Sequence, residues 1–229
     1  RPADARAPVP AGVRCFGRAG LRRDDLTGLV LTGGFEPEFC DAAVTDDAES
    51  SLVLFEDASD DGKHQSRAER TAAGLIRAFG NRVLVVHGAN PDRASWLQIP
   101  EAEVQGLPCA GEPTLEMLED ALHRTRAFEP QVVVGLGGGS VIDLAKALAA
   151  LIPAPDGPME HLEVVGKGLP LKADPLPFVA IPTTAGTGAE ATKNAVIGLP
   201  EHRRKVSLRD DRMMARVASS SLIHRPSTR

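Results

Sequence analysis

Residues 132–146 read Val-Val-Val-Gly-Leu-Gly-Gly-Gly-Ser-Val-Ile-Asp-Leu-Ala-Lys, and they constrain the fold more than any other stretch. The aliphatic run from Gln131 to Leu136 does not alternate with polar residues, as a strand buried on both faces of a sheet requires. Gly137, Gly138 and Gly139 interrupt it, and the apolar stretch Val141 to Ile152, stopped by Pro153, then reads as a helix. Three glycines at such a junction allow backbone angles closed to other residues and let a ligand reach the main chain. Ser140 and Asp143 have the spacing of a capping box that would fix the helix start. Alternatively, the Ser140 hydroxyl is free to meet a phosphate.

The same alternation extends to either side. Ala68 to Phe79 reads as a helix stopped by Gly80-Asn81, and Arg82 to Val86 as a buried strand. Pro113-Thr114 opens a helix with Leu115, Leu118 and Leu122 on one face, acids early and Arg124 and Arg126 late, which suits its dipole. Phe178 to Ile181 is a third buried strand. Strand, helix, strand, helix, strand implies an α/β domain with a parallel sheet and crossover helices.

The flanks differ. No basic residue lies between Arg23 and Lys63, while acids accumulate from Asp24 to Asp61. Such a block repels itself and reads as a solvated stretch. Within it, Leu29 to Leu31 and Leu52 to Phe55 are candidate edge strands. The expected organisation is an irregular acidic segment over 1–67, the α/β domain over 68–218 and a disordered tail over 219–229.

Of the 229 residues, 42% are hydrophobic, enough for most of the chain to bury a core. The net charge of −5 and the lack of a basic stripe disfavour nucleic acid, and aromatics at 3% leave few stacking platforms. No apolar run approaches the roughly 18–20 residues of a bilayer helix, and with no apolar stretch after Arg1-Pro2-Ala3-Asp4 a secretory signal is not expected. Cys15, Cys40 and Cys109 are odd in number and far apart, which disfavours disulfides or a zinc ribbon. A reducing cytoplasm is the expected compartment, and nothing marks a partner for a catalytic thiol.

A glycine turn that leads from a parallel strand into a helix offers unpaired N–H groups and the positive end of a dipole, an anion site suited to a dinucleotide's diphosphate. A Walker A loop would need Lys-Ser/Thr after the last glycine, and Ser140-Val141-Ile142 stands there instead. A Gly-x-Gly-x-x-Gly fingerprint is half matched by Gly135, Gly137 and Ser140. A second loop, Ile181-Pro182-Thr183-Thr184-Ala185-Gly186-Thr187-Gly188-Ala189-Glu190, follows another buried strand and supplies hydroxyls and backbone donors at the same sheet edge.

Together, Gly137 to Lys146, Pro182 to Glu190 and the downstream Arg203-Arg204-Lys205 resemble the iron-containing (group III) alcohol dehydrogenases, relatives of the glycerol and dehydroquinate enzymes. Gly111-Glu112-Pro113-Thr114 is similar to the family's lead into the preceding helix, and Phe16-Gly17-Arg18 to its opening strand. The resemblance covers residues 70 to 218 and implies a Rossmann-like domain binding NAD or NADP for hydride transfer between an alcohol and an aldehyde. It implies that Gly137, Gly138, Gly139, Ser140 and Asp143 carry the diphosphate turn. Thr183, Thr184 and Thr187 would line the central part of the cofactor, with Val196 and Lys205 closing over it.

A divalent metal, Fe or Zn, held in the family by an Asp and three His on a helical second domain, would act as Lewis acid. That stretch is not found here, and His64, His87, His123, His161, His202 and His224 have no ligand spacing, so no catalytic or metal residue is assigned. The chain is expected to be truncated before the helical domain and inactive alone. Its expected partner is a small alcohol or aldehyde, with no nucleic acid or membrane, and a homodimer is the candidate assembly. Gly88 falls where many relatives place an Asp on the adenosine ribose; without that carboxylate NADP is as acceptable as NAD, with Arg93 a candidate counter-charge. The alternatives are an inactive fragment and a glycerol-1-phosphate or dehydroquinate-type enzyme of the same superfamily.

Overall fold

The computed structural model describes residues 53–55, 72–184 and 186–219. Most of the acidic segment, the pair Leu29 to Leu31, the Phe16-Gly17-Arg18 echo, the first turn of the helix expected from Ala68, and the tail beyond Ser219 lie outside them. Eight strands are described: β1 (Val53–Phe55), β2 (Arg82–Gly88), β3 (Glu103–Cys109), β4 (Val132–Gly137), β5 (Phe178–Pro182), β6 (Asn194–Leu199), β7 (Arg204–Arg209) and β8 (Val217–Ser219). Helix α1 covers 72–77, α2 Leu115–Arg126, α3 Gly139–Leu151 and α4 Pro158–His161.

Six strands form one sheet in the order β1-β8-β5-β4-β2-β3, every pair parallel. The expected α/β architecture, a parallel sheet flanked by helices, is what the chain adopts. Successive side chains point to opposite faces, which explains the unbroken aliphatic runs. Leu84, Val86 and Val133 join the core beneath α2 and α3, while Val83, Val85, Val132 and Val134 join Ile76, Leu97 and Ile99 on the other face. Burying each of these side chains stabilises the fold by roughly 1.5–3 kcal/mol.

The reading of Leu52 to Phe55 as an edge strand agrees with β1, which lies at the sheet's edge beside β8. The strand β8 runs through Ser219, one residue into the expected tail. Helix α2 starts as expected: the Thr114 side chain accepts from the Met117 N–H at 3.2 Å, and Leu118 and Leu122 are buried. The edge strand β3 carries no aliphatic run, since it includes Gly106 and Pro108 and buries only Leu107 and Cys109. The hairpin β6–β7 is antiparallel, separate from the main sheet, and packs against α3.

The strand order places the ligand edge. From β2 the chain passes to β3 on one side, then returns to form β4 on β2's other side. The crevice at such a reversal, outside the strands' carboxyl ends, is where open parallel sheets bind ligands. Gly88 and the turn Gly137-Gly138-Gly139 border it.

Candidate functional site: the glycine turn and the threonine segment

Both loops singled out in the sequence meet at this edge. Gly137 is in register with Pro182, and the Thr183 N–H donates to the Gly137 carbonyl at 2.8 Å. A Cβ added to Gly138 would stand 2.8 Å from Thr184 Oγ1, and one added to Gly139 would stand 3.3 Å from Thr187 Cγ2. The threonine segment therefore lies directly on the turn. A Cβ at Gly137 would fall 2.5 Å from Val141 Cγ2.

These distances correct the expected reason for the glycines. None of the three has a positive φ; Gly138 sits at φ −76°, ψ −176°, open to any residue. They are needed for close approach, not for unusual backbone angles. The left-handed conformations occur in the opposing segment, at Gly186 (φ 87°) and Gly188 (φ 64°).

The expected capping box is also absent. Helix α3 begins at Gly139, one residue before Ser140, so Ser140 already lies inside the first turn and Gly138 is a cap without a side chain. The Ile142 N–H closes the first helical bond to the Gly138 carbonyl at 3.0 Å. The N–H groups of Gly139, Ser140 and Val141 thus have no acceptor within the helix; among the described residues no side chain caps them, and no acid occupies the first turn. Four things meet here: free amides, the positive end of a thirteen-residue helix, threonine hydroxyls and a backbone stripped of Cβ atoms. Such a cradle fits a diphosphate.

Asp143 is directed elsewhere than expected. Its carboxylate accepts the Val196 backbone N–H, and burial pushes its pKa up to about 6 against the opposing pull of Lys146 and that hydrogen bond. It ties α3 to β6, and the diphosphate contact expected of it has no support in this geometry. Val196 contributes that N–H, with its side chain half-buried on β6. Lys205, exposed on β7, pairs with Glu112 of the β3–α2 loop at 2.6 Å. The hairpin meets the same loop where the Gly198 N–H donates to the Pro113 carbonyl at 2.8 Å.

Lys146 enters the sequence reading only as the last residue of the motif, yet in the fold its ammonium is buried among backbone acceptors. It is fully buried, and its ammonium donates to the carbonyls of Ala189 (2.6 Å), Thr192 (2.6 Å) and Asn194 (3.0 Å) and to Thr192 Oγ1 (3.1 Å). Burial lowers its pKa to about 8, opposed by Asp143 and Glu190. A signal was present: a lone lysine among the aliphatic residues of α3 must find buried acceptors.

Cys109 is buried, and burial with the nearby Asp143 pushes its thiol up to about 11, so it is a poor nucleophile. Cys15 and Cys40 lie outside the described residues, as do His64 and His224. His87 belongs to β2, almost buried, with Nδ1 2.7 Å from the Gly88 carbonyl. His161 is buried with Nδ1 2.9 Å from the Leu169 carbonyl. Around Gly88 an added Cβ would meet nothing within 4 Å, so the end of β2 faces open space. Among the described residues no three His, Cys, Asp or Glu gather to hold a metal ion, so their donor set does not fit the metal. No described helix is long and apolar enough to cross a membrane.

Comparison with known proteins identifies the family and the fold. The family model described as iron-containing alcohol dehydrogenase matches residues 64–219. An alcohol dehydrogenase of Thermococcus barophilus is 34% identical over 139 residues, 58% of this chain and 36% of that protein. A mitochondrial hydroxyacid-oxoacid transhydrogenase of Caenorhabditis elegans is 38% identical over 102 residues, 43% of this chain and 22% of that protein. Among solved structures, an iron-containing alcohol dehydrogenase of Thermococcus thioreducens superposes with a TM-score of 0.59 at 26% identity, covering 76% of this chain and 45% of that one. A sulfoacetaldehyde reductase of Bifidobacterium kashiwanohense, solved in complex with NAD+, shares the fold with a TM-score of 0.58 at 19% identity over 74% of this chain and 44% of that one. The chain thus spans roughly a third of the length of the first curated relative it matches. With the glycine turn, the threonine segment and the hairpin all inside the matched residues, the chain belongs to the iron-containing alcohol dehydrogenase family.

Proposed function

We propose that this chain is the nucleotide-binding portion of a metal-dependent alcohol dehydrogenase, and that it takes NAD or NADP at the edge where β2, β4 and β5 end. One observation carries the reading: the uncapped first turn of α3 opens at the sheet's reversal point, directly beneath the threonine segment. The diphosphate rests against the N–H groups of Gly139, Ser140 and Val141, with Gly137 and Gly138 letting Val141 and Thr184 pack closely around the turn. Thr183, Thr184 and Thr187 supply hydroxyls along the central part, and the Ser140 hydroxyl is a further donor. Val196 on β6 and Lys205 on β7 would close over the cofactor from the hairpin. When bound, the nicotinamide supplies the hydride chemistry; the protein's share is to hold the dinucleotide in one orientation and shield it from water.

Open space at Gly88 supports tolerance of a 2′-phosphate, since no carboxylate stands at that position to repel it. The substrate is a small alcohol or aldehyde. Among the described residues no cluster of three or more His, Cys, Asp or Glu could hold a metal ion; by itself the chain is expected to bind nucleotide without turning over. Isothermal calorimetry with NADH and with NADPH tests the reading. Binding heat with either nucleotide is expected; none at millimolar nucleotide, from protein with a cooperative thermal transition, overturns it.

A further inference from the structure

Three backbone groups along one edge of β6 are taken by partners outside the hairpin. The Asn194 carbonyl accepts from Lys146 Nζ at 3.0 Å, the Val196 N–H donates to the Asp143 carboxylate, and the Gly198 N–H donates to the Pro113 carbonyl at 2.8 Å. Alternate residues of a strand present their hydrogen-bonding groups to the same edge, so one side of β6 pairs with β7 and the other is available to α3. Asp143 and Lys146, three apart on that helix, share a face and supply an acceptor and a donor to it. Lys146 also reaches back to the Ala189 and Thr192 carbonyls, just beyond Gly188.

The threonine segment is consequently fixed at both ends. Its start is held by the Thr183 N–H on the Gly137 carbonyl, and its end by the Lys146 ammonium. Between these anchors lie Gly186 and Gly188, both left-handed, and Thr184 and Thr187, which lie against Gly138 and Gly139. Few apolar contacts are available to hold so polar and glycine-rich a span. The buried ammonium has three protons for four acceptors, the role a bound cation would otherwise fill.

We infer that Asp143 and Lys146 are positioning residues: from within α3 they mount the threonine segment and the hairpin over the helix's free amides, and they do not contact the nucleotide. This rests on the nucleotide site proposed above. The Asp-x-x-Lys spacing is then a requirement of assembly, with the phosphate-facing work left to the amides and hydroxyls.

The test uses the full chain and the variants K146M, D143A and D143N, with NADH and NADPH affinity from calorimetry and amide hydrogen exchange read by mass spectrometry. K146M and D143A are expected to bind the better of the two nucleotides about tenfold more weakly, the loss of a buried charged hydrogen bond. Exchange is expected to accelerate over 186–199 while β2 and β4 stay protected. D143N, which keeps an oxygen for the Val196 N–H, is expected to recover most of what D143A loses. Unchanged affinity and exchange in K146M and D143A would overturn the inference, as would D143N behaving like D143A. If K146M does not fold, the comparison of D143A with D143N decides. If the wild-type chain binds neither nucleotide, the functional reading fails, and the exchange pattern still decides whether the pair mounts the segment.

Discussion

The β4–α3 unit and the β6–β7 hairpin are held by different forces, although they pack against each other. Helix α3 meets β4 through Ile142 and Ala145, which lie against Gly135, and the surrounding core, Leu148 included, is apolar. The hairpin buries Ala195, Ile197, Leu199, Val206 and Leu208, but its placement depends on single polar anchors: Lys146, Asp143 and the Pro113 carbonyl. Apolar burial is non-directional and sets how much stability there is, whereas buried hydrogen bonds are directional and set where a segment lies. The rigid half of the site is thus built by the first force, and the half that covers it is aimed by the second.

The largest effect should come from the apolar unit. Leu148 is fully buried in α3, and L148A is expected to cost about 2–5 kcal/mol in global stability by urea unfolding. A loss below about 1 kcal/mol would mean that α3 is not packed as described.

An intermediate effect belongs to the seam. G138A would set a methyl 2.8 Å from Thr184 Oγ1, so the threonine segment must shift. Nucleotide affinity is expected to fall by about tenfold while the unfolding midpoint changes little, because Gly138 precedes the helix and has an ordinary φ. Equal affinity in G138A would show that the segment's contact with the turn is unimportant for binding.

A pH profile separates the two regions further. Asp143 is raised from 3.8 to about 6, so the folded chain holds its proton more tightly than the unfolded chain. Its contribution to stability is fully present below about pH 4 and is lost as the pH rises through about 6. D143N should flatten that part of the stability profile, and an unaltered slope would place the titration elsewhere. The smallest effect is expected from the exposed pair Arg124–Asp120 on α2, 3.4 Å apart; R124A should change stability by less than about 0.5 kcal/mol.

The same contrast explains what could be read from the chain alone. Strands β2, β4 and β5 are buried on both faces and announce themselves as aliphatic runs. Helix α2 shows its cap, its apolar stripe and its charge gradient. Strand β3 was missed because an edge strand containing Gly106 and Pro108 has neither run nor strict alternation. The hairpin strand β6 buries alternate residues at Ala195, Ile197 and Leu199, but Val196 and Gly198 between them supply no polar contrast, so the period of two does not show in the sequence. Both loops of the site were legible as motifs. The work of Lys146 was not, because its acceptors lie 43 to 48 residues away and become its neighbours only in the folded chain. The glycine triplet was located correctly for a different reason, since steric approach of Thr184 and Thr187 depends on packing that no local spacing reveals.

Nucleotide binding by this chain, as proposed, turns on a diphosphate resting against the free amides of α3. Amide hydrogen exchange of the full chain with and without saturating NADH or NADPH reads this directly. Slowed exchange confined to the start of α3, at Gly139 to Val141, and to the threonine segment is the expected result. Protection that appears elsewhere, with those amides unchanged at saturating nucleotide, would contradict it.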